Sequence, residues 1–190
     1  MPDAAQLTET PAKRGEGRRA LLEAARLEFE EQGFDGTNSN VIAKRAGFAP
    51  QTFYRHFKDK LAIFLEVYAV WVEQEAVELA NATSARAFAE AIIAHHTKHK
   101  VFRRSLRSLT VEDPAVGAVR AAARQAQIQA LAQGSQKFAA RTFAEQCATL
   151  LTIERLCDAV ADGDYDALGV PPAEARATVI RAIRQVVDLP

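Results

Sequence analysis

The 190-residue sequence contains two cysteines, one tryptophan and no net formal charge, and these scarcities limit what the chain can be. Two cysteines, Cys147 and Cys157, do not form a disulfide framework. On one continuous helix they would lie ~15 Å apart, too far for a bridge within the chain. We interpret them as buried free thiols; a redox sensor and a bridge between two copies of the chain are the alternatives.

Long apolar runs are also missing, although hydrophobic residues make up 48% of the chain. Charged residues interrupt each apolar stretch, so no membrane span is predicted. The N-terminal stretch MPDAAQLTETPAKRGEG lacks the apolar core of a secretory signal, and we predict a flexible arm over residues 1–14. The predicted location is therefore cytoplasmic. Since no glycine-rich phosphate loop or nucleophile elbow is present, the sequence predicts neither an enzyme nor a bound cofactor.

Apolar residues recur at intervals of three and four and rarely alternate, which predicts an all-α protein. Gly33 is predicted to end the first helix, Thr37 to cap the second, and Gly134 to interrupt the seventh. The predicted helices are 17–32, 37–46, 50–57, 60–80, 85–97, 101–109, 114–139, 142–162 and 172–188.

The stretch AGFAPQTFYRHF, residues 46–57, predicts the second half of a helix-turn-helix. Phe53 and Phe57 fall ~40° apart on one side of a short helix, so they can anchor it to a core. The other side is polar, and in such motifs the second helix enters the DNA major groove. Side chains that can reach base edges or phosphates are Gln51, Thr52 and Arg55; Tyr54 and His56 can donate to phosphate oxygens.

The charge distribution supports this interpretation, because no carboxylate occurs from Gly36 to Lys58 while four basic residues do. Such a local positive patch attracts phosphate. A purely structural helix-turn-helix is the alternative on geometry alone.

Residues 18–67 carry the segments LLEAA, GFDGT, IAKRAG and TFYRHFKDK in order, and this stretch resembles the DNA-binding domain of the tetracycline-repressor family. The resemblance implies a three-helix DNA-binding head over residues 15–62 and a C-terminal helical domain for ligand binding and dimerisation over 63–190. It places Gln51 and Thr52 deepest in the groove. The phosphate contacts that it implies are Thr37, Lys44, Tyr54, His56 and Lys60.

The second helix departs from the family pattern on its exposed side. Ala49 stands where serine is common, so one phosphate contact is expected to be missing. Ser39, Asn40 and Val41 are also atypical, and we predict that Asn38 and Asn40 supply base contacts of their own.

The last two helices are predicted to form a dimer interface. The 142–162 helix carries an apolar arc of ~220°, wider than one contact requires, and the family resemblance implies a four-helix bundle with a second copy. The predicted interface residues are Leu150, Ile153, Cys157, Val179, Ile183 and Val186. Burial of both helices within one subunit is the alternative. A dimer would match a palindromic operator in double-stranded DNA.

The middle helices would enclose a small, largely apolar effector if the family analogy holds. The candidate effector contacts are Phe64, Tyr68, Trp71, Phe88, His95 and Phe102. His95 and His99 have the spacing of metal ligands, but no acid or cysteine stands nearby in sequence, so no metal site is predicted.

The sequence thus predicts a dimeric repressor that a small molecule releases from DNA. A DNA-bound adaptor controlled by a protein partner is the alternative.

Overall fold

The computed structural model describes residues 11–185, which form eleven helices and no strand. The predicted all-α class is therefore confirmed. The helices are α1 (Pro11–Gln32), α2 (Ser39–Arg45), α3 (Pro50–His56), α4 (Lys60–Ala80), α5 (Ala85–Lys98), α6 (Lys100–Glu112), α7 (Pro114–Gly134), α8 (Gln136–Ala139), α9 (Phe143–Asp162), α10 (Asp164–Ala167) and α11 (Pro172–Arg184).

The chain divides into two compact units, Met1–Tyr68 and Ala69–Pro190. The division falls within α4, six residues later than the predicted boundary after residue 62. Helix α4 therefore contributes its first two turns to the N-terminal unit and the remainder to the C-terminal unit. None of the helices in the described range is long and apolar enough to cross a membrane.

The first helix is longer than predicted. It begins at Pro11 instead of residue 17, so residues 11–14, which we assigned to a flexible arm, are helical, while the rest of that arm lies outside the described residues. It ends as expected, since Gly33 has a left-handed φ of 73° and donates its N–H to the carbonyl of Phe29. After it, Gly36 approaches the Gln32 carbonyl so closely that a β-carbon would lie 2.3 Å from the oxygen, which only glycine tolerates.

Aromatic side chains fill the core of the N-terminal unit. The ring of Phe64 lies 5.1 Å from that of Phe29 and 5.2 Å from that of Phe34, both edge-on. Phe53 and Phe57 attach α3 to the same unit, with both side chains buried. Aromatic residues from α1, α3 and α4 thus form the core of this unit.

In the C-terminal unit, α5 packs against α9 and α11. The predicted interruption near Gly134 is present, because α7 ends there and Ser135 caps the short α8. The one-turn helix α10 was not predicted. The apolar cluster that joins α5, α9 and α11 consists of Ala85, Phe88, Ala89, Ile92, Ile93, Ile153, Cys157, Val179, Ile180 and Ile183.

Candidate functional site

Helices α2 and α3 form a helix-turn-helix whose turn depends on Gly47. This residue has a φ of +79°, which favours glycine. Its N–H donates to the carbonyl of Lys44 at 3.0 Å, and the N–H of Phe48 donates to the carbonyl of Ala43 at 2.9 Å. Pro50 then occupies the first turn of α3, where its fixed φ suits a helix start.

The polar side of α3 faces solvent, as predicted. Phe53 is fully buried, whereas Gln51 and Arg55 are exposed and Tyr54 is 58% exposed. Thr52 is half-buried, and its Oγ1 accepts a hydrogen bond from Arg55 at 3.2 Å. The helix therefore presents exposed hydrogen-bond donors and acceptors on its polar side.

His56 is half-buried at the end of α3, beside the first helix. A β-carbon on Gly17 of α1 would lie 3.3 Å from Nε2 of His56. The ring is thus held against α1, in a more enclosed position than Gln51 or Arg55.

The N-terminus of α2 differs from the prediction by one residue. Asn38, not Thr37, is the N-cap, and its Oδ1 accepts hydrogen bonds from the N–H groups of Asn40 and Val41. Thr37 is only 4% exposed, and its hydroxyl donates to Glu28 at 2.9 Å. The structure thus corrects the predicted cap and gives Thr37 an internal partner instead of an outward position for phosphate. Asn40 is exposed, as a base contact requires.

Lys60, which we predicted to contact phosphate, has hydrogen-bond partners within the head. Its Nζ donates to the carbonyls of Phe34 at 2.6 Å and Thr37 at 3.0 Å, and it lies 3.9 Å from the centre of the Phe34 ring. Partial burial lowers the pKa of Lys60, opposed by the nearby Asp35 carboxylate. The ammonium therefore ties the loop after α1 to the start of α4.

Two neighbouring basic residues on α2 differ in their electrostatic environment. Lys44 is exposed. Arg45 lies 2.8 Å from Glu28 and 2.5 Å from Glu31, and its hydrogen bond lowers the pKa of the Glu31 carboxyl. Arg45 is therefore neutralised from within the head, and Lys44 remains the better candidate for a phosphate contact.

The C-terminal unit contains a second concentration of polar groups, which we term the buried polar cluster. It draws on α4, α5, α6, α7 and α9, and its members are Glu75, His95, His96, His99, Arg103, Gln127 and Asp158. All of them except the half-buried Gln127 are at most 5% exposed. Burial of so many ionisable groups requires specific pairing.

Asp158 is the anionic centre of the cluster. Its carboxylate accepts hydrogen bonds from Arg103 at 2.6 and 3.3 Å, and lies 2.9 Å from both Nδ1 of His96 and Nη1 of Arg107. Burial works to raise the pKa of Asp158, but the hydrogen bonds from His96 and Arg103 outweigh it and hold the pKa well below its usual range. Asp158 is thus a fully ionised counter-ion for Arg103.

Glu75 has a contrasting environment. Its Oε2 accepts from Nε2 of Gln127 at 2.9 Å, and its Oε1 lies 3.8 Å from Nε2 of His96. Burial raises the pKa of Glu75 to about 7, despite the opposing charge of Arg103. Since Arg103 is already engaged by Asp158, Glu75 is a buried acid whose direct contacts are a neutral amide and an imidazole.

Burial disfavours the charged forms of His95 and His96. Burial, followed by the neighbouring His99 and His96, lowers the pKa of His95 to about 3, and burial also lowers the pKa of His96. Nδ1 of His95 lies 3.0 Å from Oε2 of Glu78. A carboxylate only accepts, so Nδ1 carries the proton and Nε2 is a lone-pair acceptor. Nε2 is buried without a hydrogen-bond partner in the described part of the chain.

The paired histidines do not form a metal centre. Within residues 11–185, no group of three or more His, Cys, Asp or Glu side chains is arranged to hold a metal ion. The rings of His95 and His99 instead lie 4.7 Å apart, and that of Trp71 lies 4.4 Å from His95. The histidines therefore combine ring contacts with Trp71 and a hydrogen bond to Glu78.

Comparisons with known proteins agree with the geometry of the head. Residues 21–67 match the family model described as bacterial regulatory proteins, tetR family. The uncharacterized HTH-type transcriptional regulator YdgC of Bacillus subtilis is 44% identical over 52 residues, which cover 27% of each chain. An HTH-type transcriptional regulator of Staphylococcus aureus is 44% identical over 45 residues, which cover 24% of each chain. The chain thus matches about a quarter of the length of these curated relatives.

Solved structures extend the similarity to the whole fold. A Rhodococcus sp. protein assigned to the TetR-family transcriptional regulators has a TM-score of 0.68 at 21% identity, covering 92% of this chain and 100% of that one. Salmonella enterica GusR has a TM-score of 0.68 at 16% identity, and the match covers 95% of this chain and 98% of that one. The head is thus similar to TetR-family regulatory proteins, and the solved structures share the fold of nearly the whole chain.

The structure brings some of the predicted effector residues together and separates others. His95 is a member of the buried polar cluster, and Trp71 and Phe102 lie beside it with their ring centres 6.5 Å apart. Phe64 and Tyr68 belong to the N-terminal unit, where Phe64 forms part of the aromatic core. Phe88 lies in the apolar cluster of α5, α9 and α11. For Phe64 and Phe88, the structure therefore assigns a packing role.

The predicted dimer residues that the structure describes are not surface residues of the subunit. Leu150, Ile153, Cys157, Val179 and Ile183 are all buried by contacts within one chain, which is the alternative left open above. Val186 lies outside the described residues. Packing within the subunit explains the wide apolar arc of α9. A different side of this helix, with Ala144, Ala148, Leu151 and Arg155, is exposed.

Sequence reasoning missed Glu75, Arg103 and Asp158, the principal charged members of the cluster. A usable indication was present for two of them. Glu75 stands four residues after Trp71, on the same face of α4, and Asp158 stands between Cys157 and Ala159 on a helix with a strong apolar arc. An acid at a core position of a helix is predicted to have a buried partner.

Proposed function

We propose that this protein is a DNA-binding transcriptional regulator that acts as a homodimer and releases DNA when a small molecule binds its C-terminal unit. The match of residues 21–67 to TetR-family regulatory proteins supports the general class. The observation that carries the proposal is the exposed polar face of α3, fixed to the head by Phe53 and Phe57. Gln51 and Thr52 are the candidates for base recognition, and Tyr54, Arg55 and Lys44 for phosphate contacts.

A homodimer is proposed because operators read by helix-turn-helix proteins are two-fold symmetric, with half-sites one helical turn apart. The exposed side of α9 is the candidate interface. Ala144, Ala148, Leu151 and Arg155 recur at intervals of four, three and four, so they share one helix face. The small residues permit close approach of a second helix, and Leu151, which is 46% exposed, supplies an apolar contact.

A small-molecule effector is favoured over a protein partner by the interior of the C-terminal unit. The buried polar cluster places ionisable groups and aromatic rings in contact where an apolar core would be simpler to build. A fold neighbour from Saccharomonospora viridis, classed as a transcriptional regulator, was solved in complex with choline (TM-score 0.66, 17% identity). In the proposed mechanism, the ligand favours a position of α4 that is incompatible with DNA binding.

Selection of binding sites from a random duplex library, at fixed salt, tests the DNA-binding proposal. Wild-type protein is expected to enrich a two-fold-symmetric sequence, and Gln51→Ala to relax the preference at one position of each half-site. Lys98→Ala, an exposed change in the C-terminal unit, is the control and should select the wild-type sequence. Failure of the wild-type protein to enrich any sequence would contradict the proposal.

The dependence of DNA affinity on salt separates phosphate contacts from structural residues. Each lost phosphate contact reduces the slope of log K against log salt by about 0.9. Lys44→Ala is therefore expected to reduce the slope by about that amount. Arg45→Ala, next to it, removes a charge already neutralised by Glu28 and Glu31 and should leave the slope unchanged.

A further inference from the structure

The buried polar cluster contains an acid without a cationic partner of its own. The guanidinium of Arg103 is bound by Asp158 at 2.6 Å. Nη2 of Arg124 lies 2.5 Å from Glu154. Glu75 contacts Gln127 and the ring of His96, and the charge of Arg103 acts on it without an ion pair. Buried carboxylates in proteins are normally paired with a cation, and within residues 11–185 no lysine or arginine forms such a pair with Glu75.

A second unsatisfied group lies on the facing helix. Trp71, Glu75 and Glu78 recur at intervals of four and three, so they share one face of α4. His95 of α5 contacts two of them, through the Trp71 ring at 4.4 Å and the Glu78 carboxylate at 3.0 Å. Nε2 of His95 is a buried lone-pair acceptor without a partner among the described residues. It therefore requires a donor, and the carboxylate of Glu75 requires a donor with a positive charge.

We propose that the buried polar cluster binds a small organic cation, a protonated amine whose N–H groups donate to the carboxylate of Glu75 and to Nε2 of His95. The rings of Trp71 and Phe102 supply apolar surface for the carbon skeleton. This inference rests on the proposed ligand-responsive function and names the class of its ligand. It also replaces the largely apolar effector that the sequence alone predicts.

Charge and hydrogen-bond donors both contribute to the choice of ligand. A carboxylate ligand would add a second negative charge beside Glu75 without donating to His95. A neutral alcohol could donate one hydrogen bond but would leave the carboxylate unpaired. A protonated primary amine offers three N–H donors and the missing charge in one group.

The proposed contact makes binding depend on pH. At low pH the Glu75 carboxyl is protonated and must lose a proton before it can pair with the amine, so affinity rises with pH until Glu75 is ionised near pH 7. Of the other groups around Glu75, ion pairs hold Arg103 in its positive form and Glu154 in its negative form, and burial disfavours the charged forms of His95 and His96, while Gln127 is uncharged.

Calorimetry on the full-length protein without DNA tests the inference with matched probes. The probes are 2-phenylethylamine and hexylamine, each compared with its alcohol, 2-phenylethanol and hexan-1-ol. The amines are expected to bind at least tenfold more tightly than the alcohols at pH 7.5. Their affinity should fall roughly tenfold per pH unit from 6.5 to 5.5, with proton release detected as a buffer-dependent enthalpy.

Two variants of α4 assign the effect to one carboxylate. Glu75→Gln keeps the shape and the hydrogen-bonding capacity but removes the charge, so it should lose about tenfold or more in amine affinity and the pH dependence with it. Glu73→Gln makes the same chemical change at an exposed position of the same helix and should behave as wild type. Circular dichroism confirms that both variants are folded.

Three results would overturn the inference: no amine binding, alcohols binding as tightly as amines, or unchanged amine affinity in Glu75→Gln. Because the titrations contain no DNA, they are independent of the site selection described above. Enrichment of an operator without amine binding would leave the regulator proposal standing and remove this one. Amine binding in a protein that selects no DNA sequence would support the amine site and contradict the regulator proposal.

Discussion

Removing the carboxylate of Asp158 leaves the guanidinium of Arg103 buried without its counter-ion. Asp158 is 3% exposed and Arg103 equally buried, so water cannot replace the lost contact. Breaking a buried ion pair in this way typically costs about 3–5 kcal/mol of unfolding free energy. For a chain of this length, that corresponds to a fall of about 10 °C in Tm. We expect Asp158→Leu and Arg103→Met each to be destabilised by this amount.

The double variant Arg103→Met with Asp158→Leu distinguishes pairing from general intolerance. Replacing both charges with apolar groups removes the desolvation cost together with the attraction, and is often close to neutral. We therefore expect the double variant to be more stable than the sum of the single changes predicts, by at least about 2 kcal/mol. Some loss will remain, since His96 and Arg107 also contact Asp158.

Urea unfolding followed by tryptophan fluorescence is a suitable assay. Trp71 is the single tryptophan of the chain, it is buried, and the Arg103 guanidinium lies 5.1 Å from its ring centre. The exposed pair Arg18 and Glu66, whose nitrogen and oxygen lie 2.5 Å apart, provides the control. The same double replacement there should give a coupling energy below about 1 kcal/mol.

Additivity would refute this reasoning. If the two single changes at Arg103 and Asp158 sum to the double change within about 0.5 kcal/mol, the two side chains do not interact in solution. The close contacts described for them would then carry no stabilisation.

Three further predictions concern other parts of the chain. Lys60→Ala should lower the melting temperature of the head, because two carbonyls lose a charged donor, and leave the salt slope of DNA binding unchanged; a reduced slope would restore the phosphate role. Leu151→Glu should turn a dimer into a monomer in analytical ultracentrifugation without changing subunit stability; a persistent dimer would exclude this face of α9. Glu75→Gln should be more stable than wild type at pH 8 and equal to it near pH 4.5, measured by urea unfolding at both values.

The sign of the last prediction follows from proton linkage. The native state holds the Glu75 proton up to about pH 7, whereas the unfolded chain releases it near 4.5. Stability from this group is therefore present below pH 4.5 and is lost as the pH rises towards 7. His95 acts in the opposite direction, since its native pKa of about 3 lies below the unfolded value, and its contribution is lost as the pH falls below 6.5. In wild type, the two effects oppose each other between pH 4.5 and 6.5.

The sequence predicted local structure well where one residue dictates the backbone. Gly33 and Gly47 end their helices with positive φ, and Pro50 starts α3. It failed by one residue at the start of α2, because Thr37 and Asn38 are both good caps. The choice was decided by Glu28, nine positions away, which accepts the Thr37 hydroxyl.

The dimer residues and the polar cluster could not be predicted for a different reason. A wide apolar arc on α9 shows that the helix has more than one neighbour, but not which side faces its own chain. Likewise, Arg103 and Asp158 are separated by 55 positions, and an isolated arginine in a helix is usually a solvated residue. Only the packing of α6 against α9 shows that the two charges meet.

The stability cost of Glu75 argues for a role beyond folding. A rise in pKa from 4.5 to about 7 corresponds to about 3 kcal/mol of lost stability at pH 8, a large part of the margin of an ordinary domain. A glutamine could accept or donate the same hydrogen bond to Gln127 without that cost. Asp158 differs, since its charge is matched by Arg103 and stabilises the fold. The cluster therefore combines a charge that stabilises the protein with one that weakens it, and a ligand cation beside Glu75 would offset that weakness.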